Sequence, residues 1–458
     1  MIIAEQETII AQCTPKGSGA LALLRISGDN AFDIATKMSI LASSSSINNV
    51  QSHTVHYGWI RDDKGAHIDQ VLFIVMHAPK TFTGQNVVEI TCHNNPFLID
   101  GIIKQAIMHG ARLAQEGEFS KRAFLHGKID LVQAEAINEL IHASTQSALK
   151  QALSQLEGTF SHWINGLEKE LIKNLALSDA SFEFIDEEME FGKRILESLE
   201  NILTSMITLK QAFNQQQQIR QGIRIALLGA VNAGKSSLFN ALVKKNRAIV
   251  SEVAGTTRDT LEAGLYKNGF YMTYVDTAGL RETNDSIEQE GIKRSFQEGQ
   301  QADIILLIID SSRLITAQET TIYQELYTLY APKIIVIENK SDKALPKQSF
   351  SLPFNALKTT AKSNETIEQL ETIVEQKIAT LFSHLESPFL LNQRQFNLLL
   401  SLEQKLFTIK PLLETSFVEY EIISYHLKEA LENITELSGK TVSEQGMDAI
   451  FREFCIGK

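Results

Sequence analysis

The 458 residues leave room for about three domains at roughly 150 residues each. Hydrophobic content of 43% and charged content of 21% are ordinary for a globular chain and exclude a fibrous or intrinsically disordered one. A formal charge of −12, from 43 basic and 55 acidic side chains, excludes nucleic-acid binding by bulk charge and leaves local patches or a basic partner. Three cysteines (Cys13, Cys92, Cys455) without metal-ligand spacing fit a reducing cytosol rather than a disulfide framework. The first residues, MIIAEQETIIAQ, carry no basic n-region, and no stretch approaches the roughly 18 apolar residues of a membrane span. The expectation is a soluble, cytoplasmic protein with no membrane association.

Residues 1 to about 120 mix short alternating runs, such as VLFIVM and VVEITC, with glycine turns and read as α+β. From about 130 to 215 the texture turns helical. Leu149, Leu153, Leu156, Phe160, Trp163, Leu167 and Leu171 recur at three- and four-residue steps, which predicts one face of a long helix in a bundle core. A second stripe follows at Leu196, Leu199, Leu203, Met206, Leu209 and Phe213, and the Gln215–Gln218 run reads as a linker. From Gly222 to about Phe382 strand, loop and helix alternate: IRIALLG, LEAGLY, YMTYVD, DIILLIID and KIIVIEN read as strands, several of them apolar enough for a sheet covered on both faces. Asn268-Gly269 between two of them is a hairpin signal. Helical texture returns from about Pro388. The predicted fold is multidomain: an α+β N-terminal domain (1–122), a discontinuous helical bundle (123–218 with 383–458), and an inserted α/β P-loop GTPase domain of Ras-like class (219–382).

Gly229-Ala230-Val231-Asn232-Ala233-Gly234-Lys235-Ser236 follows a strand and precedes a helix, the setting a phosphate-binding loop requires. Backbone N–H groups from Asn232 through Ser237 would wrap phosphate, Lys235 would neutralise its β- and γ-groups, and Ser236 would ligate Mg²⁺. Asp276-Thr277-Ala278-Gly279 ends the strand YMTYV, where a carboxylate near Mg²⁺ and a γ-phosphate-sensing glycine belong. Gly255-Thr256-Thr257-Arg258-Asp259 lies in a loop upstream, with Thr257 placed to complete the Mg²⁺ shell. Asn339-Lys340-Ser341-Asp342 ends KIIVIE; Asp342 can accept from guanine N1–H and the exocyclic amine, a pair adenine does not offer. Thr360, Ala361 and Lys362 form the last base-contacting loop. Five motifs in order point to GTP. Leu280 stands where many small GTPases carry a water-orienting glutamine, so Glu288 or Glu290 is a candidate for that work, with a solvated helix position as the plain alternative.

These motifs, with TPKGSGALALLRISG, APKTFTGQNVVEITCHNN, EGEFSKRAFLHGKIDLVQAEAI and a terminal FCIGK, resemble the MnmE (TrmE) family of tRNA-modification GTPases over essentially the whole chain. The resemblance implies an N-terminal domain that dimerises and binds a tetrahydrofolate (a 5-formyl or methylene form) through Arg25, Glu89, Lys128 and Lys458. It also implies a flavin-dependent MnmG (GidA) partner in a heterotetramer and an aminomethyl-type group built on C5 of the wobble uridine of certain tRNAs. Ion pairing at the protein surface is the plain alternative for each folate residue. By the same resemblance Ser251, Glu252, Val253, Ala254, Gly255 and Thr256 line the nucleotide, and Asn232, Ser251, Val253 and Thr256 hold a K⁺ ion. Glu288 becomes the catalytic acidic residue, and Cys455 a residue of the modification step, against the alternative of a small buried hydrophobe. Three departures stand out: Asn94-Asn95 for Gly-Gly, Gln85-Asn86 for Glu-Asp, and Val231 for proline. Asparagine tolerates a left-handed turn, so the first of these is expected to keep the turn. The competing reading is a ribosome-assembly GTPase of the Era or Der kind, which should carry a basic RNA-binding module.

Overall fold

Alternation of apolar and polar residues along the N-terminal runs gives strands with one buried side. In the computed structural model, which describes residues 7–143, 145–181, 188–245, 261–267, 270–276, 296–343, 356–382, 388–415 and 418–457, seven such strands form one sheet. They are β1 (Ile9–Gln12), β2 (Leu21–Ser27), β3 (Ser39–Leu41), β4 (Thr54–Arg61), β5 (His67–Met76), β6 (Val87–His93) and β7 (Arg112–Leu113), in the order β3-β4-β5-β6-β2-β1-β7. Helices α1 (Ala31–Lys37) and α2 (Pro96–Met108) cover one face, where Leu24, Ile26, Phe73 and Ile90 are buried with Ile34 and Ile102. Side chains of the opposite parity, Leu21, Val55, Tyr57 and Leu72, are exposed.

The Asn94-Asn95 pair keeps its turn by a different route from the one expected. Asn95 has an extended backbone, φ −122°, and caps α2 by accepting from Phe97 N at 2.9 Å, with Pro96 opening the helix. Asn94 Nδ2 donates to Gly17 O at 2.8 Å. Neither residue uses the left-handed region.

Helices α3 (Glu118–Leu125), α4 (Leu131–His142), α5 (Gln146–Leu156), α6 (Thr159–Ala180) and α7 (Glu188–Gln221) follow. The single long helix expected over 149–171 is two helices. Gly158, at φ +96°, ends one and starts the other, which resets the helical phase. Phe160, Leu167 and Leu171 are buried as expected, but Leu149 and Leu153 are 45% and 47% exposed while Ala148 and Ala152 turn inward. The glutamine run is helical, because α7 continues through it to Gln221, two residues before β8 begins. Glutamine is a good helix former, and Phe213 just before the run stacks on Phe396 with ring centroids 3.7 Å apart.

Continuous apolar runs then build the second sheet. Strands β8 (Ile223–Gly229), β9 (Leu261–Lys267), β10 (Phe270–Asp276), β11 (Ile304–Asp310), β12 (Ile334–Asn339) and β13 (Ala356–Lys358) lie in the order β13-β12-β11-β8-β10-β9. All neighbours are parallel except β9, which runs antiparallel to β10 with Lys267 opposite Phe270; the Asn268-Gly269 turn itself is outside the described residues. The three-residue β13 carries too little pattern to be read beforehand. Helices α8 (Lys235–Lys245) and α10 (Asn364–Phe382) cover one face, packing Leu238, Leu242 and Leu370 on Ile225, Leu227, Leu306 and Ile337. Helix α9 (Ala317–Tyr330) covers the other, packing Tyr323 and Leu326 on Leu228, Ile305 and Leu307. Coverage on both faces is why every residue of β11 is buried. Helices α11 (Gln393–Leu413), α12 (Tyr420–Ser438) and α13 (Glu444–Phe451) complete the chain.

Contacts divide the chain into two units: one holds residues through Asn138, Ser154–Ile202 and the chain from Asn397, the other Glu139–Leu153 with Leu203–Phe396. Among the described residues no helix is long and apolar enough to cross a membrane. Leu306→Ala, which opens a hole in a fully buried layer, should destabilise the second sheet by about 2–5 kcal/mol. Hydrogen exchange checks this directly: amides of Ile304–Asp310 should lose protection relative to wild type.

Candidate functional site

The phosphate loop leaves β8 at Gly229 and enters α8 at Lys235. Its backbone reverses through two left-handed residues, Asn232 at φ +63° and Gly234 at φ +92°. Gly234 must lack a side chain, since a Cβ there would stand 2.3 Å from Asn339 Nδ2. The Lys235 ammonium is buried and donates to two carbonyls of its own loop, Gly229 O at 2.7 Å and Ala230 O at 2.8 Å. Burial lowers its pKa below the ordinary lysine value, and the Asp276 carboxylate opposes that shift. Asp276, the last residue of β10, is fully buried. Ser236 and Ser237 sit in the first turn of α8, where N–H groups lack intrahelical partners. A lysine ammonium, the amides of a helix N-terminus and a glycine backbone gathered in one loop suit a phosphate group.

The base loop follows β12. Asn339 Nδ2 donates to Ala233 O at 2.9 Å, and Lys340, itself left-handed at φ +60°, donates from Nζ to Asn232 O at 2.7 Å. Both motif residues thus tie the base loop to the phosphate loop. Asp342 is held from the third loop: Thr360 Oγ1 donates to it at 3.1 Å and Lys362 Nζ lies 3.5 Å away. The Thr360 hydrogen bond, and then the Lys362 charge, hold its carboxyl below the usual carboxylate range, so it remains an acceptor at neutral pH. Ala361 lies between these two partners in the same turn. No sequence motif points to Tyr323, whose hydroxyl accepts from Ala230 N at 3.2 Å.

Several expected residues lie outside the described ones: Ser251, Glu252, Val253, Ala254, Gly255, Thr256, Thr257, Thr277, Ala278, Gly279, Glu288 and Lys458. The partners assigned to Mg²⁺ and K⁺ are therefore described only at Ser236 and Asn232.

In the N-terminal sheet Arg25 and Glu89 face each other across β2 and β6 and pair, with Nε to Oε1 at 2.8 Å. The guanidinium also lies 5.5 Å and 5.4 Å from the ring centres of Phe82 and Phe119. Lys128 stands across from Gly84, where an added Cβ would meet its Cε at 3.1 Å. It lines a cavity of about 510 Å³ together with Phe124, Gln133, Asn165 and Lys440; Arg25 and Glu89 are not in that wall. Gln85 accepts from Arg122 Nη1 at 2.9 Å and from Ser27 Oγ at 3.2 Å. Gln85 thus acts as a neutral acceptor in a buried network with Arg122 and Ser27.

Cys455 is exposed, not a core residue. Its carbonyl accepts from Gly117 N at 3.4 Å, Ile456 bridges Glu116, and Gly457 approaches Gln12 and Cys13 so closely that a Cβ would fall 2.5 Å from Gln12 O. The tail is thereby fixed along the end of β1 and the start of α3.

A parallel sheet whose strand ends carry a phosphate loop and an Asn-Lys-Ser-Asp base loop is the frame of a P-loop GTPase. Residues 8–128 match the model of the GTP-binding protein TrmE N-terminus, and residues 131–455 match that of the MnmE helical domain. The tRNA modification GTPase MnmE of Acetivibrio thermocellus is 35% identical over 465 residues, 99% of this chain and 100% of the relative. The Geobacillus kaustophilus protein of the same name is 37% identical over 473 residues, covering 100% of both. The chain belongs to the MnmE family of tRNA modification GTPases. Among solved structures, the G domain of the T. maritima FeoB iron transporter matches at 22% identity over 34% of this chain and 98% of that one, with a TM-score of 0.26. As a member of the MnmE family of GTPases, this chain binds GTP with Mg²⁺.

Asp342→Asn should weaken GTP binding and shift preference toward xanthosine triphosphate, because xanthine presents a carbonyl where guanine has its amine. Competition of the two nucleotides for a fluorescent guanine analogue checks the assignment. An affinity for GTP equal to that of wild type would place base recognition elsewhere.

Proposed function

We propose that this chain hydrolyses GTP to drive modification of tRNA, in a homodimer joined through its N-terminal domain and in a complex with a flavin-dependent MnmG partner. The observation that carries this reading is the joining, in one chain matched end to end by tRNA modification GTPases, of a guanine-type base loop to a phosphate loop. A ribosome-assembly role of the Era or Der kind is not favoured, since the whole-chain relatives bear the MnmE name. The three-part division into 1–122, 123–218 with 383–458, and 219–382 belongs to the same proposal, as does a cytoplasmic location.

In this reading Asp342 accepts from the guanine edge, while Lys235 and the amides from Asn232 to Ser237 hold the phosphates. Lys235 must first leave the carbonyls of Gly229 and Ala230, a change of partner that ties ammonium placement to phosphate binding. Ser236 and Thr257 would ligate Mg²⁺, and Glu288 would orient the attacking water in place of the glutamine that Leu280 displaces. Asn232, Ser251, Val253 and Thr256 would hold K⁺ near the phosphates, supplying positive charge that other GTPases take from an arginine. At the second site Arg25, Glu89, Lys128 and Lys458 would bind a tetrahydrofolate, which when bound supplies a one-carbon unit. Phe82, partly buried beside Arg25, suits a flat ring system, and the Arg25–Glu89 pair presents both a donor and an acceptor. The product is an aminomethyl-type group at C5 of the wobble uridine, with exposed Cys455 serving that step.

Mass spectrometry of tRNA nucleosides from a strain lacking the gene should show loss of a C5-substituted wobble uridine; an unaltered nucleoside profile would refute the modification role. Complementation with Cys455→Ser should leave GTP turnover near wild type but fail to restore the nucleoside. Turnover should also be faster in KCl than in matched NaCl, and Asn232→Ala should remove that difference. Equal rates of the wild-type chain in the two salts would dismiss the cation.

A further inference from the structure

Asp310 ends β11, the strand between the phosphate-loop strand β8 and the base-loop strand β12, and falls in none of the nucleotide motifs. Its carboxylate is buried, which requires compensation by donors. Oδ1 accepts from Ser312 Oγ at 2.6 Å and Ser312 N at 2.9 Å, and Oδ2 accepts from Lys340 Nζ at 2.7 Å. Burial alone would push the carboxyl up, yet the hydrogen bonds from Lys340 and Ser312 hold it below its usual range.

The same Lys340 ammonium reaches Asn232 O at 2.7 Å. It therefore joins two non-glycine residues in the left-handed region, Asn232 at φ +63° and Lys340 at φ +60°. Such backbones persist only where surrounding contacts over-determine them. A lysine side chain has wide rotamer freedom, and one neutral carbonyl is a weak restraint on it. The buried carboxylate is the stronger, charge-assisted restraint.

We propose that Asp310 is a positioning residue for the guanine nucleotide: it holds the Lys340 ammonium on the Asn232 carbonyl and so fixes the spacing between base loop and phosphate loop that one nucleotide must span. This rests on the nucleotide site described above.

Asp310→Asn keeps the shape and an acceptor but removes the charge. The KM for GTP should rise, and dissociation of a fluorescent GDP analogue should quicken, each by about tenfold, while kcat changes by less than about twofold. In the Lys340→Met background the same substitution should add less than about twofold, because the coupled partner is gone. An unchanged KM, or the full loss persisting without the lysine, overturns the proposal; so does a parallel fall in kcat and melting temperature, the pattern of a general structural role. If Asp310→Asn does not fold, Ser312→Ala loosens the same carboxylate from its other oxygen and should raise KM only while Lys340 is present. A wild-type chain that bound no guanine nucleotide would remove the site itself, an outcome distinct from failure of the variant.

Discussion

Because Gly234 carries no Cβ, the Asn339 amide can lie against the phosphate loop and donate to Ala233. Two loops separated by 106 residues in sequence are thereby locked at hydrogen-bond distance. Neither loop could hold that spacing alone, since each reverses through left-handed backbone. The sheet supplies the rest. Strands β8 and β12 both flank β11 and run parallel, so their C-terminal ends open on one edge, where ligands of open α/β sheets bind. A methyl group at position 234 would separate the very parts that the strand order brings together.

Charge is handled locally, which reconciles a formal −12 with anionic ligands. Lys235 is buried among its own loop carbonyls, and Lys340 is anchored between a carbonyl and a buried carboxylate. Each ammonium is placed by short contacts instead of by a broad basic surface. The N-terminal sheet follows a similar pattern, with Arg25 neutralised by Glu89 and flanked by two rings. These part-buried pairs place each charged group at a defined point of the sheet or loop that carries it.

The nucleotide motifs were legible in sequence because each is short, contiguous and set at a strand end, so spacing alone reveals it. Asp310 occupies the same kind of strand end as Asp276 and Asn339, but its meaning depends on Lys340 thirty residues on, which no local pattern shows. Tyr323 is harder still, a helix residue whose hydroxyl reaches a loop 93 residues upstream. Periodicity placed Phe160 and Leu171 correctly and misplaced Leu149 and Leu153, because the phase was carried across Gly158. A glutamine run reads as polar and loose, yet the packing of Phe213 upstream keeps the helix going. The short tail near Cys455 takes its place from Gly117 and Gln12, partners too remote to read from its own residues.

The contact between α3 and α13 has an entropic side. Lys121 Nζ meets Asp448 Oδ1 at 2.7 Å, closing a loop of 327 residues. Loop-closure entropy grows only with the logarithm of length, so each doubling adds about 0.6 kcal/mol. Three doublings from a loop of about 40 residues to this one cost only about 2 kcal/mol, less than burying two side chains of the size of Phe451 recovers. Any folding of the intervening α/β sheet before the closure shortens the free chain and lowers that figure further. A nucleotide domain can thus sit in the middle of another domain's sequence with little thermodynamic penalty, and the host needs only a modest set of contacts at α3 and α13 to bring its distant halves together.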